Sequence, residues 1–231
     1  MGNFEKFDEF IRTINLDDYR LKYSHIKIVE MDLPRDIQAL KSLYKYYWNE
    51  IDINNIPDFD EYYNLYYKDC ADEIEKFRIK TEMCKDCFSK GLKARIYRTW
   101  ASIITQIHAG YVAENVFGAG SVEMNDILDH QCKDFIITYK GKIIPIQVKK
   151  ESHRPEARMV RKDDNSIISI FYCVPSKTDF EKPYYARTGK IKPQMLDFIQ
   201  YSPDGILNRY NNGFVVFTEK VFRDLMPYFE K

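Results

Sequence analysis

The chain has 231 residues, 45% of them hydrophobic and 30% charged, a size and balance that support a substantial core and exclude a disordered protein. Its 35 Lys and Arg against 35 Asp and Glu leave no net charge, which argues against wholesale coating of a polyanion. With neither a basic-then-apolar leader nor an apolar run of about twenty residues, it reads as soluble and cytoplasmic, with no membrane partner.

The charge is unevenly placed. Residues 1–87 hold 19 Asp or Glu against 13 Lys or Arg, whereas residues 88–231 hold 16 against 22. An acidic half joined to a basic half predicts that the second half meets a polyanion and the first does not. The cysteines (Cys70, Cys84, Cys87, Cys132 and Cys173) are odd in number and irregular in spacing, so no disulfide framework is predicted. Cys84-x-x-Cys87 supplies half of a zinc site if Cys70 and a fourth ligand join it. No second pair stands at a characteristic interval, and helix-buried thiols are the plainer reading.

Residues 1–90 are predicted to be a helical N-terminal region. Phe4, Phe7, Phe10 and Ile11 form one apolar stripe, Ile37 to Trp48 a second and Tyr62 to Phe77 a third, with Pro34 and Pro57 near boundaries and Asp36 as an N-cap. Tyrosines at this spacing read as core in preference to a stacking platform for bases. A longer helix is predicted from Lys93 to Phe117, closed by Gly118, with Trp100, Ile103, Ile107 and Tyr111 on its apolar face. At about 100° per residue Glu114 returns to within about 20° of that stripe. A carboxylate there needs a lysine, an arginine or a bound metal as partner.

The rest of residues 91–231 continues with a short segment, Gly120 to Met124, a hairpin, and an apolar strand from Ile167 to Val174. A Pro-containing loop follows, then a helix from Gln194 to Tyr201, a buried strand from Gly213 to Thr218, and a terminal helix from Glu219 to Phe229 that Pro227 frays. That order predicts an α/β fold, a mixed central sheet flanked by helices, with the helical region ahead of it.

The hairpin, Lys133 to Lys150, is the most informative stretch. Two β-rich runs flank Lys140-Gly141; with these as the loop of a tight turn, Tyr139 pairs with Lys142, and counting outward sets Asp134 opposite Gln147. Such neighbours have Cβ atoms about 5 Å apart, close enough to share one cation. In the second strand Ile144, Ile146 and Val148 fall on one face and Ile143, Pro145, Gln147 and Lys149 on the other, so the amide and the amine point the same way.

An acid, an amide and an amine so gathered are what a metal-dependent phosphodiesterase needs. Magnesium takes oxygen ligands, and a glutamine carbonyl supplies one without charge. The main-chain carbonyl of Val148 and waters complete the shell, Glu114 and Asp134 balance charge, and Lys149 stabilises developing charge or orients the attacking water. Taken singly, Asp134 reads as a solvated strand-start acid, Gln147 as a solvent-facing amide, Lys149 as a surface lysine and Glu114 as a salt-bridged helix acid. Their conjunction is what favours the metal site. Lys150, Ser152, His153, Arg154, Arg158 and Arg161 follow directly. A charged run of this kind is usually a solvated loop, but beside a metal site it is placed to contact phosphates or base edges.

An Asp followed by Gln-x-Lys at the end of an Ile/Val-rich strand resembles the signature of the PD-(D/E)xK nuclease superfamily. The resemblance implies that Asp134 and Gln147 bind divalent metal, that Lys149 serves the attacking water, and that Glu114 joins them from the preceding helix. The chain departs from the commonest form in having Lys133 where a Pro often stands and Gln147 where an acid usually stands. A narrower resemblance, over roughly residues 90–162, rests on Gln147 to Arg158, on Ala94 to Ser102 and on the helix end from Gly110 to Gly118. There the chain resembles the TaqI family of type II restriction endonucleases. This implies magnesium-dependent cleavage of short palindromic duplex DNA by a homodimer, since two-fold related active sites suit a palindrome. A structure-selective or repair nuclease of the same fold, such as a junction resolvase, and a DNA-binding module with a decayed site are the rival readings. No Gly-x-Ser-x-Gly elbow, phosphate-binding Gly-rich loop or His-Glu-x-x-His is present.

Overall fold

The computed structural model describes residues 2–29, 31–150, 166–172 and 205–230. Helices fill the N-terminal part: α1 (Asn3–Thr13), α2 (Leu16–Tyr23), α3 (Ala39–Tyr44, prolonged by a π turn over Lys45–Asn49), α4 (Phe59–Asp69) and α5 (Ala71–Lys80). Their starts follow capping chemistry. The Asn15 side chain accepts the Asp18 N–H at 3.2 Å to open α2, and Asp58 and Glu61 exchange side-chain bonds with each other's N–H groups to open α4. The predicted Tyr62 to Phe77 stripe is divided at Cys70, whose backbone (φ −120, ψ 16) leaves the helical region. The tyrosines are core, as expected: Tyr44, Tyr47, Tyr62 and Tyr66 are fully buried.

The next helix, α6 (Lys85–Phe117), has 33 residues and runs without a break across residue 90. It begins at Lys85 and not at Lys93 because the Cys84 Sγ accepts the Cys87 N–H at 3.2 Å and so caps the added turns. A single apolar face was expected, yet every residue from Ile103 to Ala113 is buried. The helix passes through the middle of the fold, with α1, α2, α3 and α4 against it and strands against its other flank.

Four strands form a sheet in the order β1 (Val122–Glu123), β2 (Phe135–Tyr139), β3 (Lys142–Lys150) and β4 (Ile168–Tyr172). The short helix α7 (Asp126–His130) lies between β1 and β2. The first two pairings are antiparallel and β3 with β4 is parallel, giving the mixed sheet that was expected. The β2–β3 turn is Lys140-Gly141 with φ of 50 and 77, the positive sign at both central residues that a type I′ hairpin demands. Tyr139 accordingly pairs with Lys142 and Phe135 with Ile146.

A second, antiparallel pair, β5 (Leu207–Arg209) with β6 (Val215–Phe217), precedes α8 (Glu219–Arg223) and α9 (Met226–Glu230). The predicted terminal helix is thus two short ones, and Pro227 lies in the first turn of α9, where its missing N–H has no intrahelical partner to lose. The strand predicted from Ile167 is present as β4; the helix predicted over Gln194 to Tyr201 lies outside the described residues. Among the described residues no helix is long and apolar enough to cross a membrane.

One contact ties the two ends of the chain together. In the β5–β6 turn the Asn212 Nδ2 donates to the carbonyls of Ile11, at 2.6 Å, and Ile14, at 2.7 Å, satisfying the C-terminal end of α1. Asn212→Ala is expected to lower stability by about 1–3 kcal/mol, the usual cost of leaving part-buried carbonyls unbonded. Urea unfolding should show this as a lower midpoint at unchanged slope.

Candidate active site

Asp134 stands just before β2, and only 8% of it is exposed. Its N–H donates to the Ile146 carbonyl at 2.9 Å, and its carboxylate accepts the N–H of Val148. The expected register is present from Tyr139 back to Phe135. At the next step the main chain of Asp134 bonds to Ile146, and its side chain reaches past Gln147 to the following amide. Both neighbours of Gln147 therefore hold Asp134 through their backbones.

Burial pushes the Asp134 carboxyl up to about 7, and the charge of Asp129 adds to the rise. The Val148 N–H, the Gln106 side chain and the Lys149 charge act the other way. Lys149 and Gln147 are both half-buried on β3, on the face opposite Ile146 and Val148, and they pair with Phe171 and Ser169 of β4. The Lys149 Nζ lies 5.8 Å from the centre of the Phe171 ring, within reach of a cation–π contact.

Three residues that the sequence reading did not select complete the surroundings. Gln106 of α6, 6% exposed, donates from Nε2 to the Tyr44 hydroxyl at 2.9 Å and faces Asp134. Tyr44 of α3 in turn donates to Asp129 Oδ2 at 3.0 Å. Asp129 is carried by α7, which opens where the Asn125 side chain accepts the Leu128 N–H at 2.9 Å. The sequence signal was that cap, an Asn just ahead of two acids. It marked a helix start but not the approach of that helix to Asp134, which depends on α3 and α6.

Glu114 has a backbone partner. Its Oε1 accepts the Gly120 N–H at 2.7 Å, at the C-terminal end of α6. Gln106, the α6 residue that faces Asp134, lies two helical turns earlier, about 12 Å back along the axis. The partner that the structure gives this carboxylate is thus a backbone amide. Of the basic segment, Lys150 is described and exposed at the end of β3; Ser152, His153, Arg154, Arg158 and Arg161 lie outside the described residues. The cysteine expectation also changes, because Cys84 and Cys87 are exposed at the start of α6 and Cys70 is half-buried at the α4–α5 break.

Among the described residues no three His, Cys, Asp or Glu side chains converge as a ready-made metal cage. What gathers is oxygen: the carboxylates of Asp134 and Asp129, toward which Gln106 turns its N–H groups, with the backbone of β3 from Ile146 to Val148 alongside. Magnesium is commonly held by one or two carboxylates, with substrate phosphate and waters filling its octahedron, so this donor set fits such an ion. A buried acid raised by a second acid is also a site that a cation stabilises.

The profile of TaqI restriction endonuclease matches residues 4–229. The type II restriction enzyme TthHB8I of Thermus thermophilus is 33% identical over 230 residues, covering 96% of this chain and 86% of that enzyme. The type II restriction enzyme TaqI of Thermus aquaticus is 32% identical over 236 residues, covering 98% of this chain and 88% of that enzyme. The likeness first read over the middle of the chain therefore extends through the N-terminal helices. No solved structure gives a significant match.

The raised carboxyl sets a pH dependence. Between about 4 and about 7 the unfolded chain has lost the Asp134 proton while the folded one keeps it, so the metal-free protein loses stability as pH rises through that window. Asp134→Asn should be as stable as the wild type at about pH 4 and more stable at about pH 8 in the presence of a chelator. Parallel unfolding midpoints for the two proteins across that range would show that Asp134 carries no burial penalty.

Proposed function

The chain belongs to the TaqI restriction endonuclease family, and we infer that it is a type II restriction endonuclease hydrolysing phosphodiester bonds of duplex DNA at a short specific sequence. The observation that carries the chemistry is the buried Asp134, fixed by the Val148 amide beside Asp129, with Lys149 next along the strand. The cofactor in this reading is Mg2+, for which Asp134, Gln147, the Val148 carbonyl and Glu114 are the proposed ligands, with the charge of Asp129 beside Asp134. When bound it supplies Lewis-acid polarisation of the phosphoryl group and a more acidic water.

The protein's own groups do the rest. The carboxylate of Asp134 is oriented before substrate arrives, since the Val148 N–H and Gln106 hold it, and little reorganisation remains for the reaction step. The ammonium of Lys149 opposes the negative charge that grows on the phosphoryl oxygens or orients the attacking water. Lys150, Ser152, His153, Arg154, Arg158 and Arg161 are the proposed DNA contacts, arginine being suited to bidentate guanine recognition. A palindromic site and two-fold related cuts call for a homodimer acting in the cytoplasm, where its DNA is found.

Digestion of a sequenced plasmid with Mg2+ should give discrete fragments whose mapped ends share one sequence. Attack on branched or damaged DNA alone would instead support the structure-selective reading. Asp134→Ala and Lys149→Ala should each slow cleavage by about a hundredfold or more while leaving folding and DNA binding largely intact. Gln147→Glu keeps an oxygen ligand and should retain activity with an altered metal preference, whereas Gln147→Leu should lose it. Glu114→Gln should impair cleavage far more than DNA binding. Cleavage rates under saturating DNA decide each case, and full activity in either alanine variant would sink the mechanism.

A further inference from the structure

The neighbouring carboxylates of Asp129 and Asp134 are held by donors that carry no charge. We propose that Tyr44 of α3, 85 residues ahead of Asp129, is a positioning residue for the cleavage reaction: with Gln106 it sets both acids for a divalent ion without neutralising them. The proposal rests on the endonuclease reading and adds to it a role for a residue of the N-terminal helices.

The chemistry of the groups fixes the direction of each hydrogen bond. Gln106 Nε2 lies 2.9 Å from the Tyr44 hydroxyl and 3.5 Å from Asp129 Oδ2, and the same side chain bonds to the Asp134 carboxylate. Turned the other way, its Oε1 would confront the lone pairs of both acids. The amide nitrogen is a donor only. The Tyr44 hydroxyl therefore accepts from it and gives its one proton to Asp129 Oδ2, at 3.0 Å. Tyr44 is 1% exposed and Gln106 is buried, so solvent does not compete for these bonds.

The frame behind Tyr44 is held firmly. Tyr44 is the last residue of α3, and the backbone then widens into the π turn over Lys45–Asn49, a local form found often beside functional sites. Trp100 Nε1 donates to the Tyr47 hydroxyl at 2.8 Å, and the Tyr111 hydroxyl donates to the Tyr47 carbonyl at 2.9 Å. Residues of α6 before and after Gln106 thus grip this turn, and little ordering remains when an ion arrives.

The neutrality of the donors separates this role from plain support. A lysine or arginine in their place would hold two acids as firmly and would also cancel the charge that attracts a cation. Tyr44 and Gln106 satisfy oxygen lone pairs and leave the negative charge in place. Removing an outer partner of this kind typically costs about 10–100-fold in metal affinity or activity.

Tyr44→Phe takes away the hydroxyl and with it both bonds. Its comparator is Tyr66→Phe, which loses a hydroxyl that is also buried but bonded to the Ile37 carbonyl, at 2.7 Å. Mn2+ binding to the DNA-free protein, read by electron paramagnetic resonance, should weaken by about 10–100-fold in Tyr44→Phe and keep its wild-type strength in Tyr66→Phe. The Mg2+ concentration for half-maximal cleavage should rise by a similar factor, with KM for the duplex unchanged. Gln106→Leu should reproduce the loss, and the double variant should be no worse than the worse single one, because the two residues act through one chain of bonds. If Tyr44→Phe does not fold, Gln106→Leu against Tyr66→Phe carries the same comparison. Wild-type Mn2+ affinity and Mg2+ dependence in Tyr44→Phe, with the wild type cutting DNA, would overturn the role of Tyr44 alone. Equal losses in Tyr44→Phe and Tyr66→Phe would do the same, since they mark a general loosening of the helices. A wild type that cuts no duplex DNA with any divalent ion would overturn the endonuclease reading and this role with it.

Discussion

The constraint on which this structure turns is the burial of α6 on every side between Ile103 and Ala113. A helix with no wet face must find a partner for each polar side chain it carries there, because an unbonded buried polar group costs more than a bonded one returns. Gln106 finds Tyr44 and faces Asp134, and His108 donates from Nε2 to Asp8 at 3.0 Å. These bonds do more than satisfy the helix. They fix α1 and α3 against it, and they deliver one amide to the carboxylate at the sheet edge. The N-terminal helices are thereby part of the framework of the site, in keeping with a family match that begins at residue 4.

The same logic produces two acids with opposite behaviour. Burial opposes the charge of Asp8, but hydrogen bonds from His108, Tyr210 and Arg12 outweigh it and hold that carboxyl well below the usual range. His108 is kept neutral by its burial despite the neighbouring acid, so the pair is a neutral imidazole donating to a carboxylate. Asp134 has a single main-chain N–H, an amide and a more distant lysine against burial and a second acid, and it is pushed up to about 7. One network is electrostatically closed and structural. The other is left short of positive charge, the condition under which a divalent cation would stabilise it.

What could be read from the sequence divides along the range of the interactions involved. The hairpin was legible because its determinants are local: Lys140-Gly141 tolerates the positive φ values and the alternation of Ile144, Ile146 and Val148 fixes the faces. The placing of Asp134 and Lys149 as candidate residues followed from it. Gln106, Tyr44 and Asp129 were not legible, because they converge from α6, α3 and α7 and no spacing along the chain relates them. For Glu114 the helical arithmetic placed the residue on the helix but said nothing of its partner. It could not foresee that the chain doubles back to offer the Gly120 amide. The early start of α6 was hidden because cysteine is not among the common capping residues, and Cys84 caps it nonetheless.

Charge summed over halves of a sequence is a poor guide to which surface meets a polyanion, and this fold shows the reason. Much of the acidity of the N-terminal part is engaged internally: Asp8 with Arg12 and His108, Asp69 with Lys45, Asp60 with Lys93, and Asp58 and Glu61 in the cap of α4. Acids paired in this way project little field beyond a Debye length, about 8 Å at physiological salt. The potential at a cleft is set instead by the few groups that line it, and folding brings Arg20 of α2 to the same cleft as Arg98 and Lys150. A half of the chain that is acidic by composition thus places a cation in the same cleft as two cations of the basic half. The relevant unit for the electrostatic argument is the folded surface, in which distance in space replaces distance along the chain.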